Sequence, residues 1–452
     1  MTGAWRLALR NLSRNRRRNL ATGTAIALGY AGLLLLGGYA QGNERLIRAS
    51  SVYLQHSGHL AIYAQGGLGK AEAKPAAYAF DAAAQEAIVS ALRADPRVEF
   101  WGRYLQGTGI VGNGCKTFPF RGLGLELDVE RRILSHPQVA SLEALARPRE
   151  GRLLPDAAGE ESPVALSVGL GHLRLGKGAA PGPEETAVAP APLDCAAPDV
   201  RSQIAADPWV QLAVRTHDGS FGAADARIVS LFQAATVDGD QSGLVAGLDL
   251  FQRLYDTDRV TYLAAFLHDH RDTPAVARDL AARLAAAGLE VSIHPYDDPR
   301  ANPYYVGTME MIRAVVTFIG LLLANVVALS VLNAMTLAVL ERTREIGTLR
   351  SLGFTRRQLL GVFLREAAAL AGLSIAAGLA LALGVSAAVR AADVRFQPPG
   401  VGGAIPLVLT PEAVAGIGAA ALLLVLTLGA TWIAVRRRVR ERVARLVVEA
   451  AA

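Results

Sequence analysis

The chain has 452 residues, 52% of them hydrophobic and 19% charged, with a formal net charge of +6. Soluble domains ordinarily carry about 25% charged residues, so the balance is shifted toward the membrane, and the apolar content excludes disorder over the bulk of the chain. Two cysteines exclude both a disulfide scaffold and a multi-cysteine metal module.

In chain order, residues 1–19 are an amphipathic, arginine-rich lead, followed by the uncharged stretch 20–40, the first of four long enough to span a bilayer, which takes about 20 residues. The arginines before this stretch and the small residues Gly38 and Ala40 imitate a cleaved signal peptide, but its length favours a retained anchor. Leu46, Ala49 and Tyr53 continue at helical spacing, so the helix is expected to run on as a stalk. Residues 41–305 hold no further span and form a large extracytoplasmic α+β domain. Its flanks, 41–111 and 237–305, read as a ferredoxin-like split βαβ pattern. They comprise a strand at 59–63, a helix at 80–94 opened by Asp81, a strand pair within 98–111, a strand at 261–268, a helix at 273–287 and a strand at 289–294. In that second helix Thr273 is the expected cap, Pro274 the first helical position and Gly288 the stop. The intervening 112–236 read as an inserted β-rich subdomain, with strands at 164–168, 210–216 and 226–232 and a Pro/Ala loop at 179–198.

Within the insert, Gly171 to Gly178 fits G-x-x-x-x-G-K but lacks the Ser or Thr that would hold magnesium, so a β-turn between strands is expected and no ATPase. Cys115 and Cys195 both lie on the outer side. They either pair, tying the loop to the insert, or stand as two independent small apolar residues. His268 and His270 flank Asp269 on one strand face and weakly imitate a metal pair; an exposed strand end is the plainer reading. No metal site and no catalytic constellation are expected.

The remaining spans are 314–340, 358–389 (uncharged over 367–389) and 413–435, joined on the outer side by 390–412. In the second span Asn325, Ser330 and Asn333 should face protein or a polar cavity, as helix–helix glue or as the lining of a path. In the third, Gly372, Ala376, Ala380, Gly384 and Ala388 recur every four residues, a spacing that lets helices approach closely, although alanine is abundant enough for chance to produce it. Between these spans, 341–357 carries Ile346, Leu349 and Leu352 at helical spacing with Arg342, Glu345 and Arg350 interleaved, and Gly353 can end the helix. Such a segment either lies on the membrane surface or docks into a groove on a partner.

Orientation follows from the basic residues. The lead 1–19, the segment 341–366 after the second span and the tail 436–452 together hold eighteen arginines against five glutamates, net +13, which leaves −7 on the rest of the chain. Four-span parity puts all three on one side, so both termini and the loop are expected in the cytoplasm and the large domain outside. Because the arginines flank spans and the folded domain is acidic, nucleic acid is excluded as a partner.

The run Glu341-Arg342-Thr343-Arg344-Glu345-Ile346-Gly347-Thr348-Leu349-Arg350-Ser351-Leu352-Gly353-Phe354, with Arg356, Arg357, Gln358 and Glu366, resembles the signature of FtsX-like ABC transporter permeases. Ala8 to Leu12 and Asn15 to Arg18 resemble that family's lead into its first helix, while Leu166 to Leu170 and Leu173 to Gly176 resemble a MacB-type periplasmic core domain. The resemblance implies a multi-pass protein of the bacterial inner membrane that works as a dimer, with a second copy or a homologue. It implies a cytoplasmic ATPase subunit that holds ATP and magnesium, this chain binding no cofactor itself. Arg342, Glu345, Ile346, Gly347, Leu349, Arg350 and Leu352 would contact that ATPase as a coupling helix, and closure would be transmitted along the first two helices to the outer domain. Membrane lipid, and a periplasmic lipoprotein or adaptor, are the further partners it implies. The size of the outer domain argues against the cell-division branch. The lipoprotein-releasing branch matches in architecture, but no hairpin for a lipoprotein chaperone is identifiable. A membrane-anchored sensor or scaffold is the alternative; it should carry a cytoplasmic signalling domain, and the cytoplasmic segments are short.

Overall fold

The computed structural model describes residues 16–180, 193–234, 237–341, 347–348, 351–396 and 405–439. Its longer helices are α1 (Arg16–Ala49), α2 (Ala82–Arg93), α3 (Leu127–Leu134), α4 (Leu248–Tyr255), α5 (Thr273–Ala286), α6 (Pro303–Glu341), α7 (Arg356–Ala391) and α8 (Ala413–Val439). Its strands are β1 (Leu60–Ala64), β2 (Val98–Gly112), β3 (Thr117–Leu125), β4 (Glu150–Gly151), β5 (Pro163–Ser167), β6 (Trp209–Arg215), β7 (Phe221–Phe232), β8 (Gly243–Gly247), β9 (Tyr262–Leu267), β10 (Val291–Pro295), β11 (Arg395–Phe396) and β12 (Ile405–Pro406). These elements fall into two compact units. One takes the described residues of Met1–Glu44, Met309–Val394 and Leu407–Ala452, the other Arg45–Thr308 and Arg395–Pro406.

The membrane-type unit contains the apolar parts of α1, α6, α7 and α8, four helices that by length and composition can cross a bilayer. Ile26, Tyr30 and Leu34 of α1 share one core with Val327 and Val331 of α6, Leu370 and Ala382 of α7, and Leu423 of α8, so α1 touches all three others. Glycine makes that approach possible: a Cβ on Gly29 would meet the Val327 Cγ2 at 2.3 Å, and one on Gly378 the Ala27 carbonyl oxygen at 2.5 Å.

In the outer unit the strands β10-β1-β9-β2 lie in that order, each antiparallel to its neighbour. The connections β1-α2-β2 and β9-α5-β10 therefore form two interlocked βαβ units. Ile88, Val89 and Leu92 of α2 and Val276, Leu280 and Leu284 of α5 bury one face of this sheet against Leu60, Ile62, Leu263 and Leu267. The local signals are physical ones: the Asp81 carboxylate accepts the Ala84 N–H at 2.9 Å at the start of α2, and Gly288, at φ +76°, follows the end of α5. Thr273 is not the cap of α5 but its first residue. A 3₁₀ turn over His270–Asp272 precedes it and engages its hydroxyl, which donates to the His270 carbonyl at 2.6 Å.

One expectation about the middle of the chain needs correcting. Residues 98–112 are one strand, not a pair, because the reversal comes later. Asn113 and Lys116 close that hairpin, with Gly114 at φ +91°, and β3 is the partner. The β-rich 112–236 share a sheet with the flanking parts. The first half of β2 pairs with β9 and its second half with β3 and β6, so one sheet runs through both regions. Beyond that point the pairing β2-β3-β8-β5-β7-β6 returns to β2 and closes a six-stranded ring, which removes the free edges of those strands. Its own core holds Leu105, Phe120, Val164, Leu166, Ile228 and Leu244, together with Phe251 and Tyr255 of α4. Glycines on the strands make room for those two rings: a Cβ on Gly122 would meet Phe251 at 2.4 Å, and one on Gly107 the Tyr255 hydroxyl at 2.2 Å.

Candidate functional site

Between α6 and α7 the described residues are 347–348 and 351–355. Gly347 is buried and helical beside the exposed Thr348, and the turn closes with the Leu352 N–H donating to the Thr348 carbonyl at 3.1 Å. Gly353, at φ +92°, ends it. Leu352 is then 72% and Phe354 44% exposed, apolar side chains presented rather than packed. Arg342, Glu345, Ile346, Leu349 and Arg350 lie outside the described residues. The sequence also held a signal that the helical spacing did not reveal: Thr355 and Gln358 form a reciprocal capping box at the start of α7. The Gln358 N–H donates to the Thr355 hydroxyl at 3.3 Å, and the Thr355 N–H to the Gln358 Oε1 at 2.9 Å. A small core of Val339, Leu359, Phe363 and Val435 ties α6, α7 and α8 together beside this loop.

In the bundle, Asn325 and Asn333 are exposed and Ser330 is half-buried. Eight residues apart, the two asparagines lie on one face of α6 with Leu322, Val326 and Leu329, all exposed. The expected small-residue seam of the third span is on the wrong side for packing within the chain: Gly372, Ala376, Ala380, Gly384 and Ala388 are all exposed. Ser374, Gly378, Ala382 and Ser386 are buried instead. Two residues of offset turn a helix by about 200°, so the two stripes lie on nearly opposite faces. Ser386 donates to the Leu409 carbonyl, and the Tyr30 hydroxyl to the Gly416 carbonyl at 3.2 Å.

The outer unit gathers a joint where α1 ends and α6 begins. After α1 comes a π-helical turn, Ser50–Leu54, and the chain reverses through His56 and Gly58, both at positive φ. A Cβ on Gly58 would meet the Ala265 carbonyl oxygen at 2.8 Å. Leu46, Ala49 and Tyr53, the expected stalk positions, are buried. Tyr53 stacks on His136 at 4.5 Å and on Phe266 at 5.5 Å, and His56 Nε2 lies 2.7 Å from a Glu130 carboxylate oxygen. Asn302 reaches across: its amide donates to the Ser51 hydroxyl and to the Tyr296 carbonyl at 3.1 Å, and its Oδ1 accepts the Tyr305 N–H at 3.3 Å. One buried side chain thus ties the end of the first stalk to the start of the second. His59, packed edge-on against Tyr53 and Tyr296, is pushed down to about 3 by burial first and by the cations His270 and Arg48 next.

Other motifs resolve structurally. Gly169–Leu175 is a π-helical turn rather than a β-turn, ended by Gly176 at φ +69°. Lys177 is fully buried, its Nζ donating to the Asp207 carbonyl at 2.7 Å and carboxylate at 2.8 Å, so the ammonium has its counter-charge inside the fold. Cys115 and Cys195 are disulfide-bonded, 80 residues apart in sequence with their Cα atoms 5.6 Å apart, and fasten the β2–β3 hairpin to the segment before the helix Val200–Ala206. His268 and His270 do not share a strand, because β9 ends at Leu267. Among the described residues no group of three His, Cys, Asp or Glu is arranged to hold a metal ion.

Two curated relatives are both named pyoverdine export ATP-binding/permease protein PvdT. That of Pseudomonas savastanoi pv. phaseolicola is 34% identical over 111 residues, covering 24% of this chain and 16% of the relative. That of Pseudomonas putida is 36% identical over 99 residues, covering 22% and 15%. The chain therefore spans about a sixth of the length of these relatives. Among solved structures, the extracellular domain of the noncanonic ABC-type transporter YknZ from Gram-positive bacteria aligns at TM-score 0.31 and 10% identity, over 52% of this chain and 98% of that one. The periplasmic region of MacB from Actinobacillus actinomycetemcomitans aligns at TM-score 0.33 and 11% identity, over 53% and 88%. Residues 317–443, which take in most of α6, the loop after it, α7 and α8, match the FtsX-like permease C-terminal family model.

Proposed function

We propose that this chain is the permease subunit of an ABC transporter whose ATP is hydrolysed by a separate cytoplasmic subunit holding ATP and magnesium. The observation that carries the reading is the family match over 317–443, which takes in the loop between α6 and α7 with both its flanking helices. In this reading residues 341–357 are the coupling helix, and Arg342, Glu345, Ile346, Gly347, Leu349, Arg350 and Leu352 meet the ATPase. The exposed Leu352 and Phe354 supply apolar knobs for a groove, while the charges set orientation. The arginine-rich segments support a cytoplasmic side for that loop and both ends in a bacterial inner membrane, with the outer unit, its interlocked βαβ part and its strand ring in the periplasm.

Both α1 and α6 run as helices from an apolar span into the outer unit, where Ser51 and Asn302 are hydrogen-bonded, which supports transmission from the loop to that joint. The work done there is the extraction or export of a lipoprotein, lipid, peptide or drug-like cargo, with a periplasmic lipoprotein or adaptor as a further partner. The relatives' role in pyoverdine export supports export as the class of work. A second permease copy completes the assembly, and the exposed asparagine face of α6 supports its docking there.

Gly347→Trp and Glu345→Arg are expected to abolish copurification of the partner ATPase while leaving membrane insertion intact. The buried Gly347 leaves no room for an indole, and Glu345→Arg reverses a charge within the docking segment. Copurification that survives both changes would remove the coupling-helix assignment.

A further inference from the structure

A cavity of about 280 Å³ lies in the outer unit between the end of the first stalk and the strand ring. Apolar side chains from separate elements dominate its walls, Leu123 of β3, Leu134 of α3, Leu154 of a 3₁₀ turn, Phe232 of β7 and Val245 of β8, with Ser50, Gln55, Ser230 and Gln233 as uncharged polar neighbours. Three of its described lining residues, His56, Arg121 and Glu130, are titratable, and each already has a hydrogen-bonding or ion-pair partner. His56 sits 2.7 Å from Glu130, and Arg121 at the mouth pairs with Glu72 at 3.0 Å. A charged ligand group would find no unpaired partner here, whereas an aliphatic chain exchanges water for packed walls and loses no hydrogen bond. The volume sits at the small end of the roughly 300–1,000 Å³ of ordinary ligand pockets, which suits a single slender chain rather than a folded segment.

We infer that this cavity binds one acyl chain of a lipid-bearing ligand. Its rim includes Leu54, Gln55 and His56, the residues through which the stalk ends and the chain reverses, so an occupant presses on that turn and on the strand ring at once. That the acyl chain belongs to transported cargo rests on the permease reading; the binding itself does not.

The test uses the full-length chain in nanodiscs without any ATPase, photolabelled with palmitic acid bearing a terminal diazirine and mapped by peptide mass spectrometry. Labelling is expected in peptides that contain Leu134, Leu154 or Phe232. Competition by saturated fatty acids should strengthen about fourfold per added methylene until the cavity is full. Ala146→Trp, which narrows the half-buried wall, and Leu134→Asp should each lower the mapped labelling at least about tenfold, while Leu134→Met retains it. Leu173→Ser, on a fully presented side chain outside the cavity, should also retain it. A diacylated lipopeptide that competes better than phospholipid identifies a lipid-anchored protein as the source, and the reverse order identifies membrane lipid. Label confined to α1, α6, α7 and α8, label unchanged in Ala146→Trp, or competition indifferent to chain length overturns the inference. The mapping in the unmodified chain decides the matter even if a variant does not fold. Because no ATPase is present, the result stands apart from the copurification experiment, and either reading can fail alone.

Discussion

Buried between Tyr53 and Tyr296, the His59 ring accepts the Leu267 N–H at Nδ1 (3.0 Å), a bond available only while that nitrogen carries no proton. Burial, His270 and Arg48 together keep the ring from protonating until about pH 3, against 6.5 in the unfolded chain. Between those two values the unfolded state holds a proton that the folded state refuses, so this contribution to stability is complete above pH 6.5 and is lost as the pH falls toward 3. The slope is at most about 1.4 kcal/mol per pH unit. Asp298 acts in the same direction at lower pH. Burial alone would raise it, yet hydrogen bonds from His294 and Arg300 hold it at about 2 against an ordinary 3.8, so its contribution too disappears on acidification. The protection factors of the β1 and β9 amides, exchange rates corrected for the pH dependence of intrinsic exchange, are therefore expected to fall steadily below pH 6.5, and His59→Gln to flatten that dependence. A variant with the wild-type slope would show that another group carries the titration. At this scale the sequence could be misread as easily as read. Lys177 sits in a near-match to a phosphate loop, yet its ammonium is spent on Asp207, a partner 30 residues away that no local pattern announces.

Glycines in the membrane helices divide sharply by what surrounds them. A side chain at Gly378 would run into the Ala27 carbonyl, and one at Gly29 into Val327, whereas a methyl group on Gly372 or Gly384 would meet nothing within 4 Å. Gly378→Leu and Gly29→Leu should each destabilise the folded bundle by about 1–3 kcal/mol through overpacking, while Gly372→Ala and Gly384→Ala should be neutral or stabilising by up to about 1 kcal/mol. Denaturant unfolding in mixed micelles measures all four, and a large loss in the second pair would mean that their face is packed after all. The spacing of small residues every four positions was visible in the sequence, but an alanine-rich helix offers that spacing in more than one phase, and only the partner helix selects the phase. The same distinction runs through the outer unit. The cap at Asp81 and the stop at Gly288 were legible because each is a bond or a backbone angle made within a few residues. The closure of the ring was not, because it depends on β6 meeting β2 about a hundred residues earlier in the chain, and alternation reports which face a side chain takes but not which strand lies beside it.

At the scale of the whole chain, helix coverage bears on the proposed second copy and charge distribution on sidedness. An excess of arginine sits on three short segments; four-span parity puts them on one side, and that excess makes the cytoplasm the expected side. Coverage was not legible in this way, since a span reads the same whether protein or lipid surrounds it. Over its most apolar stretch α1 is 33% buried and α6 only 11%, so α6 is the span that its own chain leaves most open. Asn325 and Asn333 lie on that open face, and a side-chain amide turned to hydrocarbon is costly unless another helix accepts its hydrogen bonds. In the proposed dimer, pairing with the same face of a second copy would satisfy both amides across a twofold axis. Interhelical bonds of this kind are worth about 0.6–2 kcal/mol each. The double change Asn325→Leu and Asn333→Leu should therefore raise the dimer dissociation constant by about tenfold or more, with insertion unaffected. Energy transfer between labelled copies diluted in vesicles measures it. If the dimer holds while transport falls, the asparagines line a polar path instead of gluing helices; if neither moves, the second copy docks on another face.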